Sequence, residues 1–429
     1  MVKLVTLDPA HFHAALVQKF MHPQISPVVR VYAPDGDELR EHLQRIAGFN
    51  ARAENPTTWE EQVYTGADFL AKMCAERAGN VVIISGNNAR KAQYILAAVA
   101  AGFNVLADKP MAVVPADFAT LQQAFQLAAA QRTLLYDIMT ERSEITTVLQ
   151  QKLARLPAVF GELEQGTPAE PAITKASVHH YFKEVAGRPL KRPAWFFDTV
   201  QQGEAIVDVT THLVDLVQWE CFPDQIIDWQ KDINVLQARR WTTKITPAEF
   251  KRATLLDRYP DYLKKDVGAD GNLAPHCNGE FTYTLKGIHA KIAVRWKGQA
   301  PEGAKDTYYS TLRGTKANLV IRQGKEQDYK ATLYIECQPG ADTAAFERAL
   351  KAGVARLAAT YPGLAVQQAA VGTGWQIVIP EQYNVGHEAH FAQVTERYLQ
   401  YLAAGKLPAW EVPNMLAKYY TTLAAYQQS

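Results

Sequence analysis

The first 140 residues alternate short apolar runs with helical patterns, and no other feature of this chain restricts its fold as much. "KLVTL", "VVRVYA", "NVVIISG", "NVLADKP" and "RTLLYDIM" are runs of strand length, rich in Val, Ile and Leu. Between them lie patterns such as "ARKAQYILAAVAAG", a helix closing on Gly102. Apolar strands separated by helices call for a parallel sheet covered on both faces. Right-handed crossovers then give a doubly wound, Rossmann-like α/β domain over residues 1–140.

After Thr140 the texture changes. "ITKASVHHYF", "QIIDWQKDINVLQARRW", "GEFTYTLKGIHAKIAVRWKG", "YYSTLRG" and "KANLVIRQG" are strand-like, several of them alternating. They predict an α+β domain over residues 141–429 built on a large, mostly antiparallel sheet. One helix, "AIVDVTTHLVDLVQWE", interrupts it, a small inserted lobe is expected at about 327–380, and two helices close the chain. With 429 residues, 48% of them hydrophobic, there is material for two cores. The 45 basic residues against 44 acidic ones leave no stripe for nucleic acid or an anionic membrane, so the expected partner is a small molecule. No apolar run approaches the ~20 residues of a membrane span. The four cysteines are far apart and form no CxxC pair, so neither a structural zinc nor a disulfide framework is expected, and no metal site. A strand begins at Val2 or Lys3 without a charged-then-apolar leader. The expected location is cytoplasmic as the sequence stands, periplasmic if a leader has been removed.

Two stretches carry candidate chemistry. "NVLADKPM" puts Lys109 at the carboxyl end of a parallel strand, where open α/β sheets bind their ligands. A lysine there can hold a substrate oxygen while charge develops on it, and a surface turn is the alternative. In "QGEAIVDVTTHLVDL", Asp208, His212 and Asp215 are spaced i, i+4, i+7 on one helical face. A carboxylate one turn from an imidazole can orient it and raise its basicity; a solvated helix face is the alternative.

The opening "VTLDPAHFHAALVQ" stands where a dinucleotide fold places strand, tight turn and helix. Asp8, Ala10 and His13 occupy the three glycine positions of the fingerprint. Asp8-Pro9 also reads as an N-cap carboxylate followed by proline, starting a helix from Pro9 to Phe20. An ionised Asp8 would compete with a pyrophosphate for the turn's amides. His11 and His13 could offset this by donating to phosphate oxygens.

"GNVVIISGNNARKAQYILAAVAAGFNVLADKPM" resembles the stretch of the Gfo/Idh/MocA oxidoreductases (glucose–fructose oxidoreductase, inositol dehydrogenase and relatives) that ends in Glu-Lys-Pro, with Asp108 replacing the Glu. "QGEAIVDVTTHLVDL" resembles their Gly-Gly…Asp-x-Gly-x-His-x-x-Asp segment, keeping Asp208, His212 and Asp215, with Glu204 and Thr210 at two glycine positions. The insert and the ending "GHEAHFAQVTERYLQYL…WEVPNMLAKYY" resemble a Bacteroidota subgroup. The resemblance implies Lys109 and His212 as the catalytic pair, with Asp208 beside them. It implies a dinucleotide site of Asp8, Ala10, His11, His13, Asp108 and Lys109. Ser85, Asn87 and Asn88 would lie on its nicotinamide side, and Asp35 at the adenosine ribose, which favours NAD over NADP. In "SVHHYFKEVAGRPLKRPAWFFD", His180, Tyr181, Lys183, Arg192 and Trp195 are candidates for sugar contacts, core packing being the alternative for each. The implied reaction is NAD-dependent oxidation or reduction of a secondary alcohol of a sugar or glycoside, at carbon 3, by a homo-oligomer, a dimer or tetramer. A glycosidase that recycles its NAD is the near alternative. A non-catalytic sugar-binding or scaffold protein is the distant one, and the missing glycines speak for it.

Overall fold

The apolar runs of the first third pair as a parallel sheet in the computed structural model, which describes residues 1–185, 188–369 and 374–429, with side chains left out over 184–189. Its strands are β1 (Leu4–Leu7), β2 (Val28–Tyr32), β3 (Glu60–Tyr64), β4 (Val81–Ile84), β5 (Asn104–Asp108) and β6 (Leu135–Ile138). Their order is β3-β2-β1-β4-β5-β6, all parallel, so the order reverses between β1 and β4. That switch point opens a crevice at the carboxyl ends of the strands. β1, β4 and β6 are buried along their whole length, as sequences without alternation require. β3, "EEQVY", escapes a hydrophobic reading because it is the edge strand and mostly exposed. Helices α1 (His13–Leu16), α2 (Asp37–Ala51), α3 (Phe69–Glu76), α4 (Asn88–Ala100) and α5 (Pro115–Gln131) connect the strands.

A nine-stranded mixed sheet follows α6 (Ile145–Ala154). Its strands come from β7 (Ile173–Phe182), β10 (Ile233–Trp241), β11 (Asn278–Leu285), β12 (Ile288–Gln299), β13 (Thr307–Arg313), β14 (Ala317–Gln323), β15 (Thr332–Cys337), β16 (Ala365–Gln368) and β17 (Trp375–Val378). A two-stranded ribbon, β8 (Glu184–Val185) with β9 (Arg188–Pro189), stands apart. The sheet order is β10-β11-β12-β7-β13-β14-β15-β17-β16, and β12–β7 is its parallel pair. The segment expected as an inserted lobe thus extends this sheet at its edge, with α10 (Thr343–Leu357) against it. The remaining helices are α7 (Thr199–Gln202), α8 (Thr210–Cys221), α9 (Pro247–Thr254), α11 (His387–Ala404) and α12 (Glu411–Gln428). α12 returns to pack on α5 and α8, closing the C-terminal part onto the parallel sheet. Among the described residues no helix is long and apolar enough to cross a membrane.

Candidate active site

Lys109 leaves the carboxyl end of β5 with its ammonium 2.5 Å from Asp208 Oδ1. The second oxygen of Asp208 accepts from Gln202 Nε2 at 2.9 Å. α8 begins only at Thr210, so Asp208 precedes the helix and the expected pairing with His212 does not form. Asp208 positions the lysine and not the imidazole. His212 is half-buried, and its Nδ1 has no hydrogen-bond partner among the described residues. Burial, followed by the field of Lys109, holds its pKa well below the usual value, so the ring is neutral at pH 7.

Asp215 leaves this group altogether. Both its oxygens take Arg142 at 2.7 Å, and Oδ1 also takes Lys418 at 2.9 Å. Arg142 donates onward to Glu411 at 3.0 Å, and Lys418 reaches Asp137 at 2.6 Å. This buried network ties α8 to the 3-10 turn after β6 (Thr140–Ser143) and to α12. Burial works against the Asp215 carboxylate, but Arg142 and Lys418 outweigh it and hold its pKa well below the usual range.

His212 walls a cavity of about 200 Å³, together with Glu141, His179, Asp306 and Tyr308. At ~30 Å³ of liquid volume per water this is room for roughly seven waters, the scale of a single ring. Tyr308 Oη, like His212 Nδ1, is buried without a partner among the described residues. Both atoms are free to bond a ligand or an ordered water in the cavity. Two of the five expected sugar contacts, His180 and Lys183, bond Asp306 of the cavity wall, His180 through Nδ1 at 3.0 Å. Tyr181 is stacked on Phe197 with centroids 4.4 Å apart. Arg192 donates to the carbonyl oxygens of Tyr181 and His180 and lies over the Phe196 ring. Trp195 neighbours Phe196. None of the five is among the residues that wall the cavity, which β7 reaches with His179, and Trp195 Nε1 is itself buried without a partner among the described residues. His179 and His180 both approach Asp306, at 3.5 and 3.0 Å.

The glycine-free turn has its own construction. Asp8 is not an N-cap: it adopts φ +44°, the left-handed conformation a glycine would supply, and α1 starts later, at His13. Its carboxylate accepts from the Asn87 amide and from Tyr94 Oη at 2.8 Å. Gly86, at φ +84°, lies so close that an added Cβ would stand 2.5 Å from His11 N. The Ala10 and His11 amides donate to Asp8 O and Ser85 O. Ser85 Oγ donates to Asp108 Oδ2 at 2.8 Å, and Asn88 Nδ2 to Gln202 O. Asp108 also takes the fully buried Lys91, absent from the sequence expectations, and His13 Nδ1 at 3.1 Å. His13 Nε2 lies 3.2 Å from His387 Nε2 of α11. His11, His13 and Asp108 approach one another as metal ligands would, but Lys91 already neutralises the carboxylate and a cation would add uncompensated charge. Asp35, beyond β2, is exposed and pairs with Arg40 at 2.9 Å.

This architecture recurs among solved structures. The chain is 58% identical to a "putative oxidoreductase" from Parabacteroides merdae, covering 100% of this chain and 97% of that one at a TM-score of 0.97. KijD10, a 3-ketoreductase from Actinomadura kijaniata in complex with NADP and TDP-benzene, shares the fold at 13% identity, with 100% and 97% coverage and a TM-score of 0.58. GenD2 from gentamicin A biosynthesis, in complex with NAD, does so at 14% identity, with 100% and 94% coverage and a TM-score of 0.57. No curated protein matches the chain. The family described as "Putative oxidoreductase C terminal domain" matches residues 149–429, the span that carries α8, the nine-stranded sheet and both closing helices, and the chain belongs to this family.

Proposed function

We propose that the protein is an NAD(P)-dependent oxidoreductase acting on a secondary alcohol of a sugar or glycoside, with carbon 3 as the reacting position, in the manner of the Gfo/Idh/MocA subgroup that its sequence resembles. The observation that carries the reading is the Lys109–Asp208 pair at the carboxyl end of β5, beside a small cavity walled by a neutral His212. The 3-ketoreductase among the structural neighbours and the NAD and NADP in their complexes support it.

The residues present fit a dinucleotide, with changes. Asp35 offers an exposed carboxylate beyond β2 for ribose hydroxyls, and Asp8 reproduces the glycine backbone of the first turn. Asp8 also directs its charge inward, at Asn87 and Tyr94. With the Ala10 and His11 amides bonded internally and both ring nitrogens of His13 engaged by Asp108 and His387, contacts to phosphate fall to the His11 imidazole. Bound there, a nicotinamide supplies an acceptor for hydride. The chain's own part is to hold the alcohol oxygen on the Lys109 ammonium, which stabilises charge developing there, and to accept the hydroxyl proton at His212.

Turnover with a panel of pyranosides tests the reading. Stoichiometric NADH with a 3-keto product supports it, and a primary isotope effect with a C3-deuterated substrate fixes the carbon. Aglycone release without net NADH formation would show the glycosidase instead. No binding of either dinucleotide at millimolar concentration would refute both.

A further inference from the structure

Glu141 lies in the 3-10 turn directly after β6, at the strand ends where the parallel sheet binds ligands. It walls the same cavity as His212. The two are held in fixed relation, because the next residue, Arg142, grips Asp215 of α8 through two 2.7 Å bonds. Glu141 itself is poorly bonded. Its one side-chain partner among the described residues is Thr140 Oγ, at the 3.5 Å limit of a hydrogen bond, and no lysine or arginine pairs with it there. Glu144, on the same wall, is consumed by structure, capping α6 through Thr146 N at 3.0 Å and Thr147 N at 2.8 Å. A half-buried carboxyl group without such bonds is costly to keep unless a ligand completes it.

We propose that Glu141 is a second catalytic residue, contacting the substrate in this cavity and taking up the proton that leaves the alcohol on oxidation. The inference rests on the oxidoreductase reading above. In that reaction the carbinol C–H pair leaves as hydride to the nicotinamide. The O–H bond breaks, its electrons form the second C–O bond, and the proton, first met by His212, crosses the shared cavity through a water or substrate hydroxyl to end on the Glu141 carboxylate. Reduction runs the transfer backwards. The imidazole is a poor resting place, since burial and Lys109 both oppose its charged form. The titratable groups that share the cavity of Glu141 are Glu144 from the start of α6, His212 from α8, His179 from β7, and Asp306 and Tyr308 at β13, and Lys109, after β5, acts on Glu141 through its charge. Burial and Glu144 push its carboxyl up to about 7, with Lys109 opposing them in part. A proton acceptor works best with a pKa near the working pH.

The test is Glu141→Gln, with Glu141→Asp as the conservative partner. Wild-type oxidation should rise with pH through about 7, as the carboxylate form appears. The Gln variant should lose that limb and ~10²–10⁴-fold in kcat, with KM changed only a few-fold, and the Asp variant should restore the limb. Infrared titration gives a readout without turnover: a protonated-carboxyl band that disappears over the same pH range in wild type and is missing in the Gln variant. A Gln variant within about threefold of wild type, or one that keeps the limb, overturns this proposal and leaves the oxidoreductase reading standing. A wild-type protein that turns over no pyranoside with either dinucleotide overturns both.

Discussion

Replacing Arg142 by Met removes the cation at the centre of the buried network. The guanidinium is 3% exposed and bonds Asp215 twice and Glu411 through 3.0 and 3.2 Å contacts. Without it Asp215 keeps Lys418, but among the described residues Glu411 keeps only Tyr136 Oη at 3.3 Å. Breaking a buried pair by deleting one partner costs about 3–5 kcal/mol, because the other charge stays desolvated. At ~2.1 cal/mol/K per residue, a 429-residue chain unfolding as one unit has an unfolding entropy of roughly 0.9 kcal/mol/K, so Tm should fall by about 3–6 °C. Burial already raises the pKa of Glu411 against the pull of Arg142, and the variant should raise it further. A carboxyl whose folded pKa lies above its unfolded value loses stability as pH rises between the two. The deficit should therefore be larger at pH 7 than at pH 5. Glu411→Gln in the same chain should recover part of the loss. Scanning calorimetry at both pH values decides the matter. A fall below about 1 °C, the size expected of a surface pair, would refute the account of a dry network. So would a second substitution that recovers nothing.

Lys109→Ala and His212→Ala should each lower kcat by ~10²–10⁴-fold while calorimetry finds dinucleotide affinity changed only a few-fold. Asp208→Asn should resemble the lysine variant, because Asp208 holds Lys109 and not His212; full activity in steady-state kinetics would contradict this. Asp8→Asn should preserve fold and dinucleotide affinity, since one side-chain oxygen remains to accept from Asn87 and Tyr94 and a negative charge near the proposed pyrophosphate site is removed. A large loss of affinity would show that the carboxylate itself is required.

The parallel sheet was legible because its strands are buried on both faces and therefore read as unbroken apolar runs. The exception, β3, fails that rule for the reason that makes it an edge. Lys109 was legible because strand direction alone places the residue after β5 in the crevice. Roles that depend on which partner a side chain finds were not. Periodicity put Asp208, His212 and Asp215 on one face, but the helix starts at Thr210, and the three then divide among a lysine, a cavity and a buried arginine. Lys91, not among the residues singled out from the sequence, is fully buried on Asp108. Burial of a charge is decided by the partner, which no local pattern announces.

The first turn shows the same limit from the other side. A search for glycines tests for a residue type, whereas the fold requires a backbone conformation. Asp8 meets that requirement at φ +44°, and the carboxylate that comes with it is bonded from the β4 loop and α4. Asp is among the side chains that tolerate this region when a local partner is at hand. Asn87 and Tyr94 lie far along the chain, so nothing within "LDPAHFH" reveals that the substitution is supported. The missing glycines therefore weigh little for a fold that has lost its cofactor. What distinguishes a lost site from a rewritten one is whether the replacing group is satisfied, and here both of its donors are in place.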